Sequence, residues 1–126
     1  MTRPHSDLRA CDVIAIADSR EQLPLTLHLP TERGTLLCGD YSVKNLEHLI
    51  AIERKGLEDC LSCVGRERER FERCIDRMRA YETRVIVIEA TWGIIELGQW
   101  RSQLKPTQVK AALYLLDAKR HAHPRR

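Results

Sequence analysis

The sequence predicts an α/β protein with a mixed central β-sheet flanked by helices. Three observations predict it. Short apolar runs of strand length, separated by turn residues, fill the first 55 positions. Two stretches with apolar residues three and four apart follow, which is helical spacing. A run of branched residues at 84–89 then returns to strand character before two more helical stretches.

Taken in order, residues 13–17 form an apolar run ending in Asp18-Ser19-Arg20-Glu21, a buried strand that delivers polar side chains at its C-terminal end. Residues 22–30 hold two prolines, so 25–29 is expected to be extended and at an edge, where a missing donor is tolerated. Residues 34–38 are a second strand candidate. Gly39-Asp40 turns the chain into Tyr41-Ser42-Val43, and residues 44–47 turn it back into a strand over 49–55, so the first half is expected to be a meander. Residues 56–64 carry Leu57, Leu61 and Val64 on one helical face, and Gly65 interrupts them. Residues 66–81 are the clearest helix, with Phe71, Cys74, Ile75, Met78 and Tyr81 in one stripe. Residues 84–89 read as a buried strand. Residues 94–101 and 106–119 read as helices, the second with proline in its first turn. The expected organisation is an N-terminal tail (1–11), one domain (12–120) and a basic C-terminal tail (121–126) containing His121 and His123.

At 126 residues the chain is one domain, able to bury on the order of two thirds of its unfolded surface. Charged residues make up 31% and the formal net charge is +3, so the placement of arginine says more than the total. An odd number of cysteines, 5, and a polar start favour a reducing, intracellular compartment: cytoplasmic, nucleoid-associated or phage-encoded, or nuclear in a eukaryote. No apolar run approaches the roughly 18 residues that span a bilayer, so no membrane association is expected.

The chemistry is carried by Ile52-Glu53-Arg54-Lys55. Strand side chains alternate, so Glu53 and Lys55 point to one face and Arg54 to the other, where Glu21 or Asp59 is its expected partner. Acids arrive from three strand ends: Asp18, Asp40 and Glu53. Hard divalent cations take oxygen ligands, and such an ion neutralises charge on phosphorus and activates water, so the pattern points to phosphodiester hydrolysis. Asp40 and Glu53 are the first choice of metal ligands, with Asp18 on the same ion or a second one. Lys55 is placed to orient water or stabilise the transition state. Taken alone, Glu53-Arg54-Lys55 also fits an ordinary solvated strand end.

Asp18-Ser19-Arg20-Glu21, Gly39-Asp40-Tyr41 and Ile52-Glu53-Arg54-Lys55 followed by Asp59 together resemble the nuclease domain of the XPF-type structure-specific endonucleases. The likeness covers about residues 12 to 118. It implies the restriction-endonuclease-like, PD-(D/E)XK fold, cleavage of branched, flapped or forked DNA, and Mg2+ or Mn2+ as cofactor. It implies active-site roles for Asp18, Arg20, Glu21, Asp40, Glu53, Arg54, Lys55 and Asp59; Arg54 and Asp59 rest on it alone. The implied partner is DNA with single-strand/double-strand junctions, together with a second copy or a paired subunit. The tandem helix-hairpin-helix module of larger relatives has no counterpart in these residues. A junction resolvase or restriction-like nuclease on the same fold, and a non-cutting DNA-binding or scaffold subunit paired with an active nuclease, are the alternatives.

Arg66, Arg70, Arg73 and Arg77 recur at spacings of four, three and four, a stripe suited to tracking phosphates or, equally, a solvated face laced by pairs such as Glu69 with Arg73. Cys60 and Cys63 lack the second pair that a zinc site needs and read as small buried thiols. Trp92 and Trp100 read as core anchors, with stacking on an unpaired base as the other use. Glu89 lies near the expected cleft or caps the next helix.

Overall fold

The structure, a computed structural model, describes residues 12–121. Five strands, β1 (Ala15–Asp18), β2 (Thr31–Gly34), β3 (Tyr41–Val43), β4 (Ile50–Gly56) and β5 (Thr83–Glu89), form one sheet in the order β2-β1-β3-β4-β5. Four helices accompany it: α1 (Leu57–Val64), α2 (Arg68–Met78), α3 (Trp92–Leu97) and α4 (Pro106–His121). The sheet is mixed. β1 pairs parallel with β2 and antiparallel with β3, β3 pairs antiparallel with β4, and β4 pairs parallel with β5 from Ile50↔Thr83 to Gly56↔Glu89. This is the α/β architecture with a mixed sheet that the order of elements implies, and the restriction-endonuclease-like fold that the resemblance implies. The expected tails lie outside the described residues, apart from His121, which ends α4.

All four residues of β1 are buried, because the strand lies between two neighbours and both its faces are covered. Two packed clusters hold the layers together. In one, Met78 of α2 sits on Ala51 and Cys38, flanked by Cys74, Tyr81 and Ile86, so the expected α2 stripe is the one that faces the sheet. In the other, Leu61, Ile95 and Val109 join α1, α3 and α4, with Leu57, Trp100, Leu104 and Leu113 around them. Trp100 belongs to this cluster, its indole N–H donating to the Leu104 carbonyl at 2.8 Å. Trp92 is half-exposed and stacks on Tyr114, with ring centroids 5.5 Å apart.

Several expected elements are displaced, each for a local reason. Residues 25–29 and 35–38 are not strands; the strand is β2, a Thr-Glu-Arg-Gly segment without apolar alternation that takes only Gly34 from the expected 34–38 strand. Ladder pairing starts only after Pro30, whose carbonyl accepts from Ala15 N at 2.9 Å, while Leu25 N donates to the Tyr41 hydroxyl instead of to a strand. It stops before Leu36, whose N–H is taken by the Asp18 carboxylate at 3.0 Å. Because β2 runs parallel to β1 at the outer edge, the first half is not a meander. β5 is less covered than its composition suggests, Val87 being 41% exposed, since it is the last strand of the sheet among the described residues. α3 begins two residues early because the Thr91 hydroxyl caps it, accepting from Ile94 N, and it stops at Gly98 in the left-handed region (φ 63°). α2 starts at Arg68 and ends at Met78, leaving Arg66 in the turn after Gly65.

Candidate active site

β1, β3 and β4 alternate in direction, so the C-terminal ends of β1 and β4 and the N-terminal end of β3 meet at one edge of the sheet. Backbone bonds knit that edge together. Asp18 N–H donates to the Asp40 carbonyl at 2.8 Å, Asp40 N–H to the Ile52 carbonyl at 2.8 Å, and Arg54 N–H to Asp40 Oδ2 at 2.8 Å. Gly39 makes the approach possible: it has φ 81°, and a Cβ there would meet the Ile52 backbone oxygen at 3.0 Å. Above this edge lies a cleft of about 530 Å3, lined by Asp18, Arg20, Glu21, Asp40, Glu53, Lys55 and Asp59 from the strand ends and α1, and by Arg70, Phe71, Cys74 and Arg77 from α2. A second cavity of about 450 Å3, under β5, α3 and α4, is mostly apolar and meets the first at Lys55, Cys63 and Phe71.

The carboxylates differ in state. Burial pushes the Asp40 carboxyl up, and the nearby charges of Glu21 and Asp18 add to it against the Arg54 N–H and Lys55. Burial also raises Glu53, with Asp40 the next cause, although Lys55 Nζ lies 3.2 Å from Glu53 Oε1. Burial works against the Lys55 ammonium, but Glu53 outweighs it and the net shift is upward, so Lys55 keeps its proton at neutral pH. Its ammonium also sits 5.6 Å from the centre of the Phe71 ring. Asp18 is fully buried, yet its pKa falls: the cost of burial is outweighed by Arg20 Nε at 2.6 Å from Oδ2 and by Leu36 N–H on Oδ1.

Asp18, Asp40, Glu53 and Lys55 thus come together, and Arg20, Glu21 and Asp59 share their cleft. Arg54 lies behind it. Its guanidinium reaches Glu21 at 3.2 Å and the Leu23 carbonyl at 2.7 Å, and it grips both oxygens of Glu89, at 2.5 and 3.2 Å. Its expected alternative partner, Asp59, is not among these contacts. Glu89 neither lines the cleft nor caps α3; it anchors Arg54 from the end of β5. Of the arginine stripe, Arg70 and Arg77 line the cleft and Arg66 and Arg73 do not. The pairs on α2 are Arg68 with Glu72 and Arg79 with Asp76, with Arg70 also 3.9 Å from Glu67; Glu69 with Arg73 is not among them. Cys38, Cys60, Cys63 and Cys74 are free thiols, all pushed up by burial.

Two contributors escaped the sequence: the Tyr41 hydroxyl, which donates to Glu21 Oε2 at 3.1 Å, and the hold of Glu89 on Arg54. Among the described residues no group of three or more His, Cys, Asp or Glu is arranged to hold a metal ion by itself. Among them, too, no helix is long and apolar enough to cross a membrane.

A mixed sheet with acids and a lysine gathered at one strand edge defines a nuclease of the restriction-endonuclease-like class. The ERCC4 domain profile matches residues 16–122, and the chain belongs to that family, whose nucleases act on branched DNA and generally depend on divalent metals. No curated protein matches the chain.

Proposed function

We propose that this protein is a Mg2+- or Mn2+-dependent DNA endonuclease that hydrolyses phosphodiester bonds at branched, flapped or forked DNA inside the cell. The observation that carries the reading is the pair Asp40 and Glu53, two half-buried carboxylates with raised pKa, beside a protonated Lys55 in a cleft walled by Arg70 and Arg77. The donor set fits a hard divalent cation. Each acid is held where it ionises reluctantly and repels the other, a cost that a bound dication removes. Two carboxylates in place of a complete cage of protein ligands suit an ion that keeps waters and takes substrate phosphate oxygens.

Asp40 and Glu53 would hold the ion. Asp18 already accepts from the Arg20 guanidinium and the Leu36 N–H, and would offer what acceptor capacity remains to the same ion or a second one. The ion, when bound, would neutralise charge on the phosphate and lower the pKa of water. The protein's own groups do the rest. Lys55 presents its ammonium to the charge that builds on the phosphoryl oxygens. Arg54 keeps its backbone N–H on Asp40 Oδ2 and ties Glu21 and Glu89 behind the site, and Arg20 holds Asp18. Asp59 adds negative charge at the rim, and Arg70 and Arg77 take phosphates of the bound strand.

The test uses labelled duplex, single strand, flap and four-way junction, each with magnesium, manganese or chelator. Cleavage lost with chelator, and reduced at least about 100-fold by Lys55→Ala, is expected. A gel shift with no cutting in either metal would overturn the reading in favour of a scaffold subunit.

A further inference from the structure

We propose that the apolar cavity under β5, α3 and α4 is a subsite for an unpaired nucleobase of the strand held in the neighbouring cleft, with Trp92 and Tyr114 as its stacking platform. The inference rests on the nuclease reading and adds a second binding site to it. Lys55, Cys63 and Phe71 line both cavities, so a strand whose phosphates lie at Arg70 and Arg77 has a path for one base to turn aside past Lys55.

The platform is fixed by the fold. Trp100 is packed in the core, whereas Trp92 lines the cavity half-exposed, its ring on that of Tyr114 with an angle of 17° between the planes. Ile95 and Val109 are buried in the cluster that joins α3 to α4, and Lys110 Nζ lies 3.0 Å from Glu96 Oε1 between the same two helices. The Thr91 hydroxyl holds the first turn of α3, 3.1 Å from Ile94 N. A stacked pair uses one face of each ring and leaves the other for a further π-system.

The walls select the ligand. Phe71, Trp92 and Tyr114 offer ring surfaces, Ile86 and Ile88 of β5 add aliphatic ones, and Lys55, at the junction with the cleft, is the one charged side chain among the lining residues. At about 450 Å3 the cavity falls in the range of small-ligand sites, roughly 300–1,000 Å3, and has room for a base. Such walls hold a flat ring by its π-face whatever its edge, so the subsite takes any base. A paired base must first leave its stack and its partner; a base of a single strand has no pair to break. Preference for single strand beside duplex then comes from the cavity and general affinity from the arginines.

The experiment uses the full chain in chelator, with oligothymidylate and with a chain of the same length made of abasic deoxyribose phosphates. Oligothymidylate is expected to quench the tryptophan fluorescence and to bind about tenfold more tightly than the abasic chain, the effect of one stacked base. Trp92→Phe keeps the affinity difference and loses the quench, because the remaining Trp100 is packed in the core. Trp92→Ala lowers affinity for oligothymidylate about tenfold and leaves binding to blunt duplex, which reports the fold and the arginines, unchanged. Leu97→Ala, on α3 and off the cavity, changes neither. Equal affinity for the two chains overturns the proposal. So does a Trp92→Ala protein that binds oligothymidylate as wild type does; a change confined to its sedimentation would assign this face to a second copy instead. If wild type cuts no substrate yet the quench is seen and is lost in Trp92→Phe, the nuclease reading falls and the subsite stands; cleavage of flaps with no dependence of binding on the base does the reverse.

Discussion

Asp40 shows how single residues in this cleft work against the fold. Its carboxyl is pushed up by burial and by Glu21 and Asp18, so the metal-free folded protein holds this proton more tightly than the unfolded chain does. That contribution favours folding below the ordinary carboxylate pKa and is lost as pH rises through the raised folded value; Asp18, with its pKa lowered, works in the opposite sense. Asp40→Asn keeps an oxygen for the Arg54 N–H and removes the charge. It is expected to raise the metal-free melting temperature at pH 7 by a few degrees, corresponding to about 1 kcal/mol, while abolishing cleavage. The gain should shrink as pH is lowered, which thermal melts in chelator at a series of pH values would show. No gain at neutral pH would mean that the acids are not crowded. The shared face of Glu53 and Lys55 was legible from alternation alone. The grip of Arg54 on Glu89 was not, because it depends on the parallel register that sets Arg54 opposite Val87, two residues short of Glu89.

At the scale of elements, the turn into β3 is the most exacting piece. Gly39→Ala puts a side chain into a left-handed conformation and against the Ile52 backbone, and is expected to destabilise the protein by about 1–3 kcal/mol. Because Asp40 N–H bonds Ile52 and Asp40 Oδ2 accepts from Arg54, cleavage should fall even well below the melting temperature. A melt and a cleavage assay on the one variant check both; full activity at low temperature would show that Asp40 tolerates the shift. β4, the break at Gly65 and the buried stripe of α2 follow from periodicity and glycine placement. β2 does not. Its three polar residues and glycine carry no alternation, and it exists because β1 offers a free ladder edge to the chain leaving Pro30. Apolar residues 34–38 suggested a strand, but the Asp18 carboxylate draws the Leu36 N–H out of the ladder.

Over the whole molecule, charge placement matters more than the net +3. Replacing Arg70 and Arg77 together by alanine is expected to weaken binding to every DNA form alike and to reduce the salt slope of the binding constant by about two. The same change at Arg66 and Arg73, which lie off the cleft, should leave the slope nearly as it was. Titrations of one flap substrate at several salt concentrations separate the two pairs; equal slopes would return the whole stripe to ordinary surface. The α/β class and the gathering of acids could be read from the sequence, since both come from strand order and period. Which arginines line the cleft could not, because α2 begins only at Arg68 and its rotation is set by its buried residues Phe71, Ile75 and Met78.

The acids that the strand ends and α1 bring to the cleft all precede residue 60, whereas Arg70 and Arg77 stand on α2, joined to α1 by a three-residue turn. Scissors and handle are thus separate parts of one chain. On the proposed reading, exchanging outward-facing residues of that helix for those of another nuclease is expected to redirect where the blade lands, with the cutting edge itself left untouched.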